Sequence, residues 1–130
     1  MRILIADDND MVRHGLRGIL LSEASWEICG EARDGIEALR KARELMPDLI
    51  ILDISMPGLN GLKVANLLRQ EVPAAKILVI SQHDPIVLLP RAVEAGAHAC
   101  VDKGRIGTTL LPTIKGIRGV SEGHRNTNAH

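Results

Sequence analysis

Asp48-Leu49-Ile50-Ile51-Leu52-Asp53, followed by Ile54-Ser55-Met56-Pro57-Gly58, is the stretch on which the fold turns. A short apolar run of this kind reads as a parallel strand buried on both faces that empties into a loop. Asp53 then stands at the carboxyl edge of a sheet as a candidate nucleophile. The same pattern places Asp7 and Asp8 after Arg2-Ile3-Leu4-Ile5-Ala6, Ser81 after Lys76-Ile77-Leu78-Val79-Ile80, and Lys103 after Ala99-Cys100-Val101. Four strand ends offer three carboxylates, a hydroxyl and an ammonium.

Helical periodicity fills the intervals between these strands. Asp10 is expected to cap a first helix carrying Val12, Leu16, Ile19 and Leu20, broken by Ser22 to Ser25. Trp26 to Ala32 alternates as a strand exposed on one face. Asp34-Gly35 opens a second helix with Ile36, Leu39 and Ala42 on one side, closed at Met46-Pro47. After a loop from Met56 to Gly61, a third helix runs through Leu62, Ala65, Leu68 and Glu71, with Pro73 beyond its end. Pro85 to Ala95 reads as a fourth helix closed by Gly96, Ala97 to Val101 as a fifth strand, and Ile106 to Val120 as a last helix through Leu110, Ile114 and Ile117. Pro90 should kink the fourth helix or delay its start. Pro112 is tolerable if Thr109 is the cap, while Gly116 and Gly119 weaken the last helix further.

Five strands each followed by a helix imply an α/β fold, a doubly wound five-stranded parallel sheet with helices on both faces, because right-handed crossovers leave few other solutions. The apolar runs at Ile3, Leu49 and Ile77 are its central strands. All the candidate groups then emerge on one edge of the sheet, where an open α/β sheet carries its ligand crevice.

A chain of 130 residues fits one domain, placed at 1–120, with 121–130 a polar tail or the start of a linker. Its 16 basic and 16 acidic residues cancel, so no global basic field points to nucleic acid or an anionic membrane. With no Tyr or Phe and a single Trp, stacking on bases is not a recognition mode here. The apolar run near the N-terminus is too short for a secretory segment, which leads us to expect a cytoplasmic protein. Cys29 and Cys100 are expected as free, packed thiols at opposite sheet edges, roughly 19 Å apart at about 4.8 Å per strand step.

With these residues in order, the chain resembles a response-regulator receiver domain over roughly residues 1 to 120. Asp7-Asp8, Asp53 with Met56-Pro57-Gly58, Ser81 and Lys103 carry the resemblance. Gly30-Glu31-Ala32-Arg33-Asp34-Gly35, Ser81-Gln82-His83-Asp84 and Ala95-Gly96-Ala97 look most like receivers that precede a helix-turn-helix output domain of the NarL/FixJ type. The resemblance implies a flavodoxin-like sheet of order 2-1-3-4-5 and a sensor histidine kinase as phosphodonor. It also implies pairing of two copies through the final helices, and contact with DNA only through an output domain outside this sequence, in transcription regulation. It adds the backbone carbonyl of Ser55 to the metal ligands. Cys100 stands where such receivers carry Tyr or Phe, and Gly104 where they carry proline after the lysine.

The chemistry follows from the residue types. A carboxylate attacking a phosphoryl group must overcome repulsion between anions, so the site needs a divalent cation. Asp7, Asp8 and Asp53 supply hard oxygen ligands suited to Mg²⁺, with Mn²⁺ a second candidate. Lys103 and Ser81 would bind the phosphoryl oxygens as charge redistributes. Asp53 is the expected phosphoacceptor, which makes the chain a signalling module and not a conventional enzyme. Taken singly, Asp7-Asp8 reads as a capping pair, Ser81 as a helix cap and Lys103 as a surface lysine; together at one edge they read as a site. Two alternatives stand beside this one: a receiver-like binding module without phosphotransfer, and a small phosphatase using Asp8-Asn9-Asp10.

Overall fold

The computed structural model describes residues 1–56, 60–82 and 84–129, with side chains described to 117. The strands are β1 (Arg2–Ala6), β2 (Glu27–Ala32), β3 (Leu49–Asp53), β4 (Lys76–Ser81) and β5 (Ala99–Asp102). The helices are α1 (Asp10–Leu20), α2 (Gly35–Leu45), α3 (Gly61–Glu71), α4 (Pro85–Glu94) and α5 (Ile106–Ala129), the last preceded by a 3₁₀ turn at Lys103–Arg105. All strand pairs are parallel, and the sheet order is β2-β1-β3-β4-β5. This is the doubly wound architecture expected of the sequence, with β1, β3 and β4 in the middle.

Strand side chains alternate between faces, and the core divides accordingly into two layers. Leu4, Ala6, Ile50, Leu52, Ile77 and Val79 pack with residues of α2, α3 and α4. Ile3, Ile5, Leu49, Ile51, Leu78 and Ile80 pack with Leu16 and Leu20 of α1, Leu110 and Ile114 of α5, and Trp26. Because both faces are covered, the three central strands must be apolar almost throughout. Two glycines hold tight junctions. A Cβ on Gly61 would lie 2.3 Å from the Ile54 backbone, so only glycine lets α3 start against the end of β3. Gly96 turns the chain after α4 at φ +107°.

Several local expectations are corrected. Asn9, not Asp10, caps α1, its side chain accepting from the amides of Met11 (2.9 Å) and Val12 (3.1 Å). Asp34 caps α2 as expected, but Ile36 is exposed, and the buried face is Gly35, Ala38, Leu39 and Ala42. Asp84 caps α4, which leaves Ser81 out of any capping role. That helix starts at Pro85 and carries Pro90 inside it without a delayed start.

Thr109 is not a cap. Its hydroxyl donates to the Arg105 carbonyl (2.6 Å) within α5, and Pro112 is interior. The Asp102 side chain, accepting from Gly104 N–H (2.9 Å), sets up the 3₁₀ turn that leads into this helix at Ile106, the start expected of the sequence. Helix continues to Ala129, past the boundary at 120 and through the span read as a polar tail. No proline follows Pro112, and extending a helix costs far less than starting one. Cys29 and Cys100 are free and lie on the two edge strands, half-buried instead of fully packed. The turn expected at Pro57 to Leu59, and His83, lie outside the described residues.

Candidate functional site

Parallel strands of similar length deliver their carboxyl ends to one edge, and the sequence has placed an acid, a hydroxyl or a base just there. Asp7 follows β1 and is fully buried, held by its own amide to the Ala32 carbonyl (3.0 Å) and by Asn9 N–H on its Oδ1 (2.8 Å). Asp53 ends β3, also fully buried. Its Oδ1 accepts from the amide (2.9 Å) and the hydroxyl (2.6 Å) of Ser55. Asp8 is exposed beside them. Carboxylate oxygens of Asp7, Asp8 and Asp53 lie within 4.8 Å of one another.

Lys103 reaches over this cluster. Its Nζ is 2.9 Å from Asp53 Oδ2 and 3.0 Å from Asp7 Oδ2. Burial alone would push the ammonium down, but the carboxylates of Asp53 and Asp7 outweigh it and hold the pKa above the ordinary value. Burial pushes the Asp7 carboxyl up, against the Asn9 amide and Lys103, and the charge of Asp53 adds to the rise. Ser81 is buried at the end of β4, one residue beyond Ile80, which pairs with Asp53 across the sheet. A cleft of about 400 Å³ lined by Asn9, Val12, Gln82, Asp102, Lys103 and Gly104 opens beside the ammonium.

The donor set fits a hard divalent cation. Three carboxylates face a single ammonium, which Asp7 Oδ2 and Asp53 Oδ2 share, so the cluster keeps more negative charge than Lys103 offsets. Clustered anionic oxygens in excess call for a further cation. Ser55 is drawn to the cluster through its amide and hydroxyl.

Sequence reasoning missed a second tier of residues. Arg13 of α1 is 5% exposed; its Nη1 donates to the Asp7 carbonyl (2.6 Å) and its Nε to Glu31 Oε1 (3.1 Å), while Nη2 pairs with Asp10. Arg17 joins Glu31 at 2.9 Å. The one available signal was the Asp10 to Arg13 spacing, which sets the pair on one helix face. Further off, Cys100 lines an open groove of about 630 Å³ with Pro85, Ile86, Val101, Arg105 and Thr109.

Comparison with known proteins agrees with this geometry. A family model described as "Response regulator receiver domain" matches residues 3–116. Response regulator GacA of Pseudomonas viridiflava is 34% identical over 125 residues, covering 96% of this chain and 57% of that protein. Transcriptional regulatory protein LnrK of Bacillus subtilis is 33% identical over 114 residues, 88% of this chain and 52% of the relative. The chain thus spans little more than half the length of these curated relatives. Among solved structures, a LuxR-family two-component response regulator from Aurantimonas sp. SI85-9A1 superposes with a TM-score of 0.83 at 34% identity, over 89% of this chain and 83% of that one.

Proposed function

The chain belongs to the response regulator receiver domain family, and from that premise we propose that Asp53 accepts a phosphoryl group from the phosphohistidine of a sensor kinase. The observation that carries this reading is the single buried cluster formed by Asp7, Asp53 and Lys103, with Asp8 at its mouth.

In the transfer, a carboxylate oxygen of Asp53 forms the new O–P bond while the N–P bond to the donor imidazole breaks and its electron pair returns to the ring. Asp7, Asp8 and Asp53, with the Ser55 carbonyl, would hold Mg²⁺ or Mn²⁺, which supplies charge neutralisation for the incoming phosphoryl oxygens. Lys103, already charged and poised on Asp53 Oδ2, is placed to follow one phosphoryl oxygen. Ser81, at the end of the neighbouring strand, donates its hydroxyl to another. Ser55 orients the Asp53 carboxylate through two hydrogen bonds to Oδ1.

The domain assigned to 1–120 acts in this reading as an on–off element for an attached or partner output, in transcription regulation, within the cytoplasm. Among the described residues no helix is long and apolar enough to cross a membrane. Pairing of two copies through α4 and α5 is part of the proposal, supported by the exposed Ile86, Val87 and Val93 of α4.

The test is aspartyl-phosphate trapping with acetyl phosphate and Mg²⁺, mapped by peptide mass, in the unsubstituted chain and in Asp53→Asn. The amide keeps the volume of the carboxylate but is a poor nucleophile and poor ligand, so one phosphate on Asp53 and none in the variant is the expected result. Label on Asp8 would favour the phosphatase reading. No label at all would favour a binding module.

A further inference from the structure

Arg13 is a charged side chain that the phosphoryl chemistry does not use, yet it is among the most buried polar groups of the chain. A guanidinium taken out of water needs each of its donors met, and here the partners are unequal. Asp10 is largely exposed and Glu31, at the end of β2, is partly so. The third partner is the main-chain carbonyl of Asp7, met at 2.6 Å. That carbonyl belongs to the turn between β1 and α1, whose two acids, buried Asp7 and exposed Asp8, make up the metal cluster with Asp53.

We propose that Arg13 is a positioning residue for the cation site: by tying the Asp7 carbonyl to Glu31 of β2, it fixes the main chain that aims the Asp7 and Asp8 carboxylates. The inference rests on the metal reading given above and deepens it. Three features make the tether specific. The guanidinium forks, so Nη1 holds the turn while Nε holds the strand, which a point charge does not do at once. Arg17 bonds the same Glu31 carboxylate at 2.9 Å without touching Asp7, so a guanidinium on Glu31 alone does not hold the turn. The near end is stiffened from the opposite side, where Asn9 N–H fixes Asp7 Oδ1. Partners that orient a ligand from outside are worth about 10- to 100-fold in metal affinity when removed.

The experiment is Mg²⁺ titration by isothermal calorimetry of the full chain and of Arg13→Met, Arg13→Lys and Arg17→Met, with the unfolding midpoint of each measured without metal. Arg13→Met should weaken Mg²⁺ binding at least about tenfold. Arg13→Lys, whose single ammonium cannot bridge Asp7 and Glu31 together, should bind about three- to tenfold more weakly than the unsubstituted chain. Arg17→Met should bind Mg²⁺ unchanged. A merely structural Arg13 would lower the midpoint and leave affinity intact, and that result overturns the inference. Should Arg13→Met not fold, the comparison of Arg13→Lys with Arg17→Met decides: equal affinities overturn the tether, and weaker binding by the lysine variant alone upholds it. Absence of Mg²⁺ binding by the unsubstituted chain would instead remove the metal site itself, and the tether's role with it.

Discussion

His98 clamps the start of β4 from both sides: its Nδ1 accepts from Ile77 N–H at 3.0 Å, and its own amide donates to the Ile77 carbonyl at 2.8 Å. Only a neutral imidazole can accept in this way, since both nitrogens of the cation are donors. Burial, and after it the positive charges of Lys76 and Arg69, push its pKa below the ordinary 6.5. In the window between the folded and unfolded values the unfolded chain therefore binds more protons. The contribution of His98 is fully present above pH 6.5 and is lost as pH falls through the folded value. His98→Gln should flatten the fall in stability as pH drops below 6.5, read from urea midpoints at a series of pH values. Parallel slopes in the two proteins would refute it.

At the scale of elements, α4 and α5 are each interrupted by an interior proline. Pro90 cannot donate to the Ile86 carbonyl, and it is exposed, so nothing in the core requires it. Pro90→Ala should raise unfolding stability by about 1 to 2 kcal/mol, the restored helix bond being partly offset by a freer unfolded chain. Chemical denaturation showing no gain would mean that α4 is already relaxed around the ring. Element positions were largely legible from the chain, because apolar runs and helical spacing respond to the same burial that forms the core. The details that escaped have physical reasons. Asn9 and Asp10 are adjacent residues of equal capping aptitude, and only the position of the Asp7 turn selects between them. On α2, Ile36 fits the three-residue spacing of the buried Leu39 and Ala42, but the buried face is the one shared by Gly35, Ala38, Leu39 and Ala42, which leaves Ile36 outside. The 3₁₀ turn ahead of α5 depends on Asp102 capping it, a contact made only once β5 is in register.

For the whole molecule, the acids, the serine and the lysine were legible as one candidate site because parallel topology turns strand ends into one edge. Arg13 and Glu31 were not, since a buried ion pair joining a helix to a neighbouring strand leaves no mark on local periodicity. The two interior layers also bear on switching. Leu88 and Ala92 anchor α4 to one layer while Leu110 and Ile114 anchor α5 to the other, and β5 with Lys103 lies between them. With Cys100 lining an open groove in place of a ring, a pull on Ser81 and Lys103 in the proposed phosphorylated state would pass through the main chain into both helices. Their interior prolines make them low-cost elements for a population shift. Beryllofluoride with Mg²⁺ should change amide exchange mainly across residues 82 to 120, leaving α1 and α2 little altered. Unchanged exchange there, with the mimic bound at Asp53, would leave direct recognition of the modified site as the readout. A last consequence comes from Trp26, packed in the layer with α1 and α5 just ahead of β2. It is the chain's only aromatic side chain apart from histidine, and it sits at the opposite end of the strands from Asp53, about 20 Å away along the strand direction at 3.3 Å per residue. The near-ultraviolet spectrum of the protein is therefore a single-point gauge, reporting melting of one layer while chemistry at the acidic edge passes unseen.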